Sequence, residues 1–153
     1  MLRVGLISDT HGLLRPQALA AMQGSDYIVH GGDIGNSVIV EQLRAIAPLT
    51  VVRGNNDTAS WAASLPDTAM LEVGEFKLVA VHDIATRAVD PVAAGVRVIV
   101  FGHSHCPTLT WRNGIFYVNP GSAGPRRFKL PVSVAELLVD GPAVTARVIT
   151  LDV

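Results

Sequence analysis

The sequence has little of several features that would place it in a specialised class of protein. It has one cysteine, Cys106, so no disulfide can form within the chain. Its 12 basic and 13 acidic residues leave a net charge of -1, unlike a protein held on nucleic acid by bulk electrostatics. No apolar run approaches a membrane span, and Asp9 ends the first run too early for a signal peptide. We therefore expect a cytoplasmic protein that binds neither membranes nor nucleic acid in bulk.

What the sequence does contain is enough apolar material for one buried core. Its 153 residues are the size of one domain, and 49% of them are hydrophobic. The sequence shows no internal repeat, low-complexity segment or linker. We therefore interpret residues 1–153 as a single domain.

Five short apolar runs each end abruptly in polar residues. Runs of this length, rich in valine and isoleucine, are typical of buried strands. Because polar groups at the ends of neighbouring strands meet at one edge of a sheet, open α/β sheets bind their ligands there. The five runs are residues 2–7, 27–29, 49–52, 78–81 and 98–101.

The first part of the chain alternates between predicted strands and helices. A helix over residues 13–23 would have Pro16 in its first turn and Gly24 after its end. A second helix, over residues 37–47, would be stopped by Pro48. This βαβαβ order predicts a parallel sheet with right-handed crossovers.

The second part is dominated by predicted hairpins. The turns Gly74-Glu75, Asn113-Gly114 and Asp140-Gly141-Pro142 each separate two apolar runs. A short helix is predicted over residues 91–94, and residues 119–131 are predicted to form a long loop. Parallel units followed by hairpins predict an α/β fold of two packed mixed sheets flanked by helices, an αββα sandwich.

Seven residues at predicted strand ends form a candidate metal site at the C-terminal ends of the strands. If the chain stays extended there, the Asp9–His11 pair and the His103–His105 pair each project in one direction. Carboxylate, imidazole and carboxamide groups together suit manganese, iron, zinc or nickel, and the lack of thiolate disfavours a structural zinc site. Taken singly, an aspartate here could cap a helix, and Asn55 could be a turn residue. The seven are Asp9, His11, Asp33, Asn55, His82, His103 and His105.

Six motifs follow one another between residues 8 and 122. They are Ser8-Asp9-Thr10-His11-Gly12, Gly32-Asp33, Gly54-Asn55-Asn56-Asp57, Val81-His82-Asp83, Gly102-His103-Ser104-His105 and Asn119-Pro120-Gly121-Ser122. In this order they resemble the motifs of the calcineurin-like metallophosphoesterases, and in particular those of the small bacterial phosphodiesterase branch.

This resemblance implies a centre of two divalent metal ions. One ion would be held by Asp9, His11 and His105, and the other by Asn55, His82 and His103. Asp33 would bridge them, because a shared anion offsets the repulsion between cations about 3.5–4 Å apart. A hydroxide between the metals would attack the phosphorus. We expect manganese, with iron, nickel or zinc as alternatives, and we assign catalytic roles to Asp33, Asn55 and His82.

Two positions depart from the wider family. Many relatives keep a histidine that is thought to protonate the leaving group, whereas this chain has Asn56, whose amide cannot give up a proton near pH 7. We therefore hypothesise a preference for diesters with a good leaving group, such as aryl phosphodiesters. Asp83 stands where a glycine is common, and its charge would weaken binding of dianionic monoesters. Asp57 and Asp83 are interpreted either as turn residues or as supports of the metal ligands.

The remaining candidates have simpler interpretations. His30 is interpreted as a structural residue at the buried end of a strand, and Cys106 as a buried small residue. Trp61 is interpreted as packing against the core rather than stacking on a ligand. Arg126 and Arg127 could contact a phosphate, but two solvated surface arginines explain them equally well.

The sequence therefore predicts a metal-dependent phosphodiesterase that acts on a small-molecule diester. The alternative is a non-catalytic scaffold or interaction module on the same fold, as in a eukaryotic retromer subunit that resembles this branch. The complete set of ligand-competent residues favours the enzyme. A third interpretation is a regulatory protein that binds a nucleotide without rapid turnover. An exposed hairpin edge would allow an oligomer without requiring one.

Overall fold

The computed structural model describes residues 1–86 and 95–153, which form two five-stranded β-sheets with two α-helices and a 3-10 helix. No described helix is long and apolar enough to cross a membrane. In chain order the elements are β1 (Leu2–Ile7), α1 (Pro16–Met22), β2 (Tyr27–His30), α2 (Ser37–Arg44), β3 (Leu49–Val51), the 3-10 helix (Ser60–Ala62), β4 (Thr68–Val73), β5 (Phe76–Val81), β6 (Val96–Val100), β7 (Thr108–Arg112), β8 (Ile115–Asn119), β9 (Ser133–Asp140) and β10 (Ala143–Thr150).

The first sheet has the strand order β10-β9-β1-β2-β3. β1, β2 and β3 are parallel, with α1 and α2 between them in the chain, as the βαβαβ pattern predicted. β9 is antiparallel to both β1 and β10. Both faces of this sheet are covered, because Val4 and Leu6 belong to the layer between the sheets while Ile7 and Ile28 pack with the helices.

The second sheet has the strand order β4-β5-β6-β8-β7. The hairpins β4–β5 and β7–β8 have the predicted turns, and β6 lies parallel to both β5 and β8. The predicted helix at residues 91–94 lies outside the described residues. A layer of buried side chains from both sheets, including Val29, Leu78, Val98 and Leu137, packs the sheets face to face. The predicted fold class is therefore confirmed.

Both helices are shorter than predicted. α1 begins at Pro16 and not at Leu13, because Arg15 is extended, with φ -68° and ψ 145°. A residue before proline is driven out of the helical region by steric clash with the proline ring. α2 ends at Arg44 and not at Ala47, and a turn then leads towards β3.

A buried carboxylate joins three strands of the first sheet. Glu136 on β9 accepts hydrogen bonds from Nε of Arg3 on β1 at 2.6 Å and from Nε of Arg147 on β10 at 3.1 Å. Arg3 also donates to the carbonyl oxygens of Ala21 and Gln23 at the end of α1. The hydrogen bond from Arg3 outweighs burial and lowers the pKa of Glu136. The network therefore ties one edge of the sheet to α1.

Replacing Glu136 by glutamine should destabilise the fold at neutral pH by about 1 kcal/mol. Because the native pKa of Glu136 is lowered, its contribution is complete above the ordinary value of 4.5 and is lost as the pH falls through the native value. Urea unfolding of both proteins across this range should show the difference shrinking in acid. Glu41→Gln, on the exposed face of α2, is the control. A difference that is independent of pH would contradict this account.

Candidate metal centre

The polar ends of five strands meet at one edge of the two sheets. The loops after β1, β2 and β3 come from the first sheet, and those after β5 and β6 come from the second. Together they bring six of the seven candidate residues into two groups of three, each with its donor atoms within 4.8 Å of one another. The seventh, Asn55, contacts the second group.

The first group consists of Asp9, His11 and His105. The Nε2 atoms of the two histidines are 3.3 Å apart, and Nε2 of His105 is 3.4 Å from Oδ1 of Asp9. Asp9 is fully buried, yet its Oδ1 accepts no hydrogen bond from the described residues, while its Oδ2 accepts one from Oγ of Ser8 at 2.7 Å. A buried, unpaired carboxylate oxygen is destabilising unless a cation approaches it. This group therefore fits a metal ion.

The second group consists of Asp33, His82 and His103, to which Asn55 adds an amide oxygen. Nδ1 of His103 is 3.2 Å from Oδ1 of Asn55 and 3.3 Å from Nε2 of His82. Nδ1 of His82 donates a hydrogen bond to the carbonyl oxygen of Gly31 at 2.7 Å. The lone pair of its Nε2 therefore faces the group, as a metal-binding histidine requires.

Asp33 lies between the two groups. Its Oδ2 is 3.2 Å from Nε2 of His82 in the second group and 3.7 Å from Nε2 of His11 in the first. Asn56 holds this carboxylate through its backbone N–H, 2.8 Å from Oδ1, and through its side-chain Nδ2, 3.2 Å from Oδ2. The position where relatives keep an acid is therefore occupied by an amide that orients Asp33. Sequence reasoning missed this role of Asn56.

The carboxylates of the site are held in their charged form. Burial alone would raise the pKa of Asp9, but contacts with the two histidines of its group and with Ser8 outweigh burial and lower that pKa well below its usual range. Burial would also raise the pKa of Asp33. The contact with His82 and the hydrogen bond from the backbone N–H of Asn56 outweigh burial and lower that pKa. The Asp33 contact also raises the pKa of His82 against the effect of burial.

The backbone at the site is left-handed rather than extended. Of the seven described non-glycine residues with positive φ, five belong to the site, and these are Asp9 (55°), His11 (45°), Asp33 (55°), His103 (73°) and His105 (62°). The prediction of an extended chain was therefore wrong at both pairs. His103 and His105 belong to different groups, which is the division that the family resemblance implied. Residues other than glycine rarely adopt this backbone conformation. It is concentrated at functional sites, where the surrounding structure enforces it.

His30 is buried beneath the site and belongs to neither group. Gly32 N–H donates to its Nδ1 at 3.0 Å, so its Nε2 carries the proton and donates to Oγ1 of Thr10 at 3.0 Å. That hydroxyl donates in turn to the carbonyl oxygen of Ile34 at 2.8 Å. Burial lowers the pKa of His30 to about 4, which keeps the ring neutral. His30 thus connects the loops after β1 and β2, which agrees with its predicted structural role.

Two further polar residues hold loops rather than adding to the donor set. Asp57 accepts hydrogen bonds from the backbone N–H groups of Gly54 and Ile34, both at 2.9 Å, and so ties the loops after β2 and β3 together. Asn119 donates from its Nδ2 to the carbonyl oxygen of Gly102 at 3.2 Å, which supports the loop after β6. The second role was not predicted.

Other candidates lie outside the two groups. Asp83 accepts a backbone hydrogen bond within its own loop at 3.0 Å, and its Oδ2 is 3.7 Å from Nε2 of His103. It is therefore both a turn residue and a neighbour of the second group. Cys106 is exposed and not buried, because it lies on the loop between β6 and β7, which corrects the prediction. Arg126 and Arg127 are both exposed.

A cavity of about 540 Å³ opens beside the second group. Asn55 and His82 line it, together with residues of the loop and 3-10 helix that follow β3. Trp61 lies in this helix but packs with the core on the helical side of the first sheet, as predicted. The cavity therefore places an open space, lined by polar and small apolar residues, next to the candidate metal ligands.

Comparison with known proteins assigns the family. The family model described as the calcineurin-like phosphoesterase superfamily domain matches residues 2–141. The chain belongs to this superfamily. Among curated members, the probable metallophosphoesterase YsnB of Bacillus subtilis is 31% identical, covering 95% of this chain and 89% of its own. The phosphodiesterase YfcE of Escherichia coli is 27% identical, covering 90% of this chain and 88% of its own.

The fold of this calcineurin-like chain is also found in solved structures. Vacuolar Protein Sorting 29 from Cryptosporidium parvum superposes with a TM-score of 0.85 at 21% sequence identity. The superposition covers 99% of this chain and 92% of that one. At this level of identity the likeness shows a common fold.

Replacing Asn56 by alanine should loosen Asp33, because it removes the side-chain hydrogen bond and leaves the backbone one. Losing an outer contact of a metal ligand typically lowers metal affinity by about 10–100-fold. We expect about tenfold weaker Mn²⁺ binding by isothermal titration calorimetry. Gln42→Ala removes an exposed amide from α2 and should bind as the parent does. Equal affinities of Asn56→Ala and the parent would show that Asn56 does not orient Asp33.

Proposed function

We propose that this superfamily member is a dinuclear metal-dependent phosphodiesterase. The observation that carries the proposal is the position of Asp33, whose Oδ2 lies within 3.7 Å of an imidazole nitrogen of each group. A carboxylate in this position can offset the repulsion between two cations. We expect manganese in both positions, with iron, nickel or zinc as alternatives. One ion would be held by Asp9, His11 and His105, the other by Asn55, His82 and His103, and both by Asp33.

Two divalent cations would supply Lewis acidity towards phosphate oxygens and would make water nucleophilic near neutral pH. The protein's own contribution is to hold the donors in place before any ion arrives. Gly31 orients His82, Asn56 orients Asp33, and the left-handed backbone aims the buried carboxylate of Asp9 at its group. The side chain of His103 is 47% exposed, so the second group faces solvent and the substrate would approach from that side.

The substrate class is part of this proposal. The name of YfcE as a phosphodiesterase, and that of YsnB as a probable metallophosphoesterase, support ester hydrolysis at phosphorus. We propose a small-molecule diester as substrate, the cytoplasm as location and residues 1–153 as one functional domain. The alternative is a non-catalytic interaction module. The donor set supports hydrolysis, because Oδ1 of Asp9 is buried, accepts no hydrogen bond from the described residues and is thus suited to a cation.

Metal-free protein should hydrolyse bis(p-nitrophenyl) phosphate only after Mn²⁺, Fe²⁺, Ni²⁺ or Zn²⁺ is added back. Asp33→Asn and His105→Asn should each lower kcat/KM by more than the roughly 10–100-fold that outer contacts contribute. Asparagine tolerates the left-handed backbone at both positions, so each change keeps the turn while a neutral amide replaces the charged carboxylate of Asp33 or the imidazole of His105.

The control for this experiment is Asp152→Asn, which changes an exposed aspartate near the chain end and should leave the rates unchanged. Activity that survives both site substitutions would refute the hydrolytic proposal. The same conclusion would follow if none of the metal ions restored activity, and the interaction module would then be preferred.

Diesters with poor leaving groups should react slowly, because Asn56 cannot donate a proton near neutral pH. Asn56→His should raise the rate for alkyl leaving groups relative to p-nitrophenolate, by up to about 100-fold. Asn56→Ala is the matched control, since it loses the same hydrogen bond to Asp33 without gaining an acid. The measurement is kcat for a series of methyl diesters that differ only in the leaving alcohol. If Asn56→His and Asn56→Ala show the same dependence on the leaving group, the hypothesis is wrong.

A further inference from the structure

The cavity beside the second group has a lining that is rich in hydroxyl groups. Thr58, Ser60 and Thr86, which carry hydroxyl groups, are among the lining residues, together with Ala59 and Ala63. Apart from the imidazole of His82, which belongs to the candidate metal group, no aromatic side chain is among the described residues that line it. A nucleobase or aryl ring would therefore find no described stacking partner there, whereas a group that both donates and accepts hydrogen bonds would find several.

The charged groups of the cavity are three carboxylates and one guanidinium. Nε and Nη2 of Arg53 contact Oδ1 of Asp67 at 3.3 and 3.0 Å, so the positive charge faces a negative one within the lining. Asp83 adds a partly exposed carboxylate, whereas that of Asp57 is buried and already accepts backbone hydrogen bonds. Apart from the proposed metal ions, the lining therefore carries a net negative charge, so a second phosphate or a carboxylate on the part of the substrate that lies away from those ions would meet repulsion. An uncharged group with hydroxyls can instead donate to carboxylates and accept from Thr, Ser and Arg side chains.

We propose that this cavity binds one ester group of the substrate, and that this group is an uncharged polyhydroxylated alcohol of the glycerol or sugar class. The proposal rests on the proposed phosphodiesterase function, because Asn55 and His82, which line the cavity, would hold the ion beside the phosphate. The volume of about 540 Å³ lies within the range of small-molecule sites and exceeds what a phosphate group alone would fill.

The test compares two ligands of equal length, whose alkyl leaving groups should make their hydrolysis slow, on the Mn²⁺-loaded protein by isothermal titration calorimetry. They are 2,3-dihydroxypropyl methylphosphonate and propyl methylphosphonate, which differ only in two hydroxyls. Because each added hydroxyl can form a hydrogen bond in the lining, we expect about tenfold tighter binding of the dihydroxypropyl ligand. In Ser60→Ala we expect this preference to fall to about threefold. Ser64→Ala changes an exposed serine that is not among the described lining residues and should retain the preference.

The outcomes separate this proposal from the function on which it rests. Equal affinities, no measurable binding of either ligand, or tighter binding of benzyl methylphosphonate or 3-phosphonooxypropyl methylphosphonate would overturn it. Hydrolysis of bis(p-nitrophenyl) phosphate is measured on the same samples. Activity without a hydroxyl preference contradicts only the assignment of the cavity. A hydroxyl preference without activity supports the cavity assignment and contradicts hydrolysis.

Discussion

The candidate site depends on direct contact between the backbones of loops that leave different strands. A Cβ atom at Gly54 would overlap the backbone and carboxylate of Asp33, and one at Gly102 would overlap the hydroxyl of Ser8 and lie 2.6 Å from Oδ2 of Asp9. Gly102 follows a strand of the second sheet, whereas Asp9 follows a strand of the first. The absence of a side chain at this point therefore lets donors from two sheets approach one another closely enough to share an ion.

Close approach alone does not orient the donors, and the structure adds a polar contact behind several of them. His82 is held by a carbonyl oxygen, Asp33 by Asn56 and Asp9 by Ser8. The neutral ring of His30 joins the loops beneath the site. It accepts a hydrogen bond from Gly32 at one nitrogen and donates one to Thr10 from the other. Such contacts restrict the rotamers of the donors and help to hold the strained backbone, as a site that is arranged before its ligand binds requires.

The strands and the donor residues could be predicted because their signals are local. For example, the apolar run that ends just before Asp9 predicts both a strand and a candidate site residue at the C-terminal end of that strand. The start of α1 also had a local signal, Arg15 before a proline, but the apolar pattern of residues 13–23 obscured it. The contacts of Asn56 with Asp33 and of His30 with Thr10 join residues 23 and 20 positions apart. Those contacts, and the left-handed turns, depend on how separate loops meet and have no pattern in the sequence.

The left-handed backbone also limits how the site can change during evolution. β-branched residues are strained in this conformation, whereas asparagine, aspartate and glycine adopt it more readily. A histidine such as His103 or His105, with φ of 73° and 62°, can therefore be replaced by asparagine or aspartate with the turn intact. Each such replacement exchanges an imidazole nitrogen for an oxygen, which favours harder ions such as magnesium. In the proposed metal centre, this backbone conformation would therefore restrict which ions the site could come to prefer.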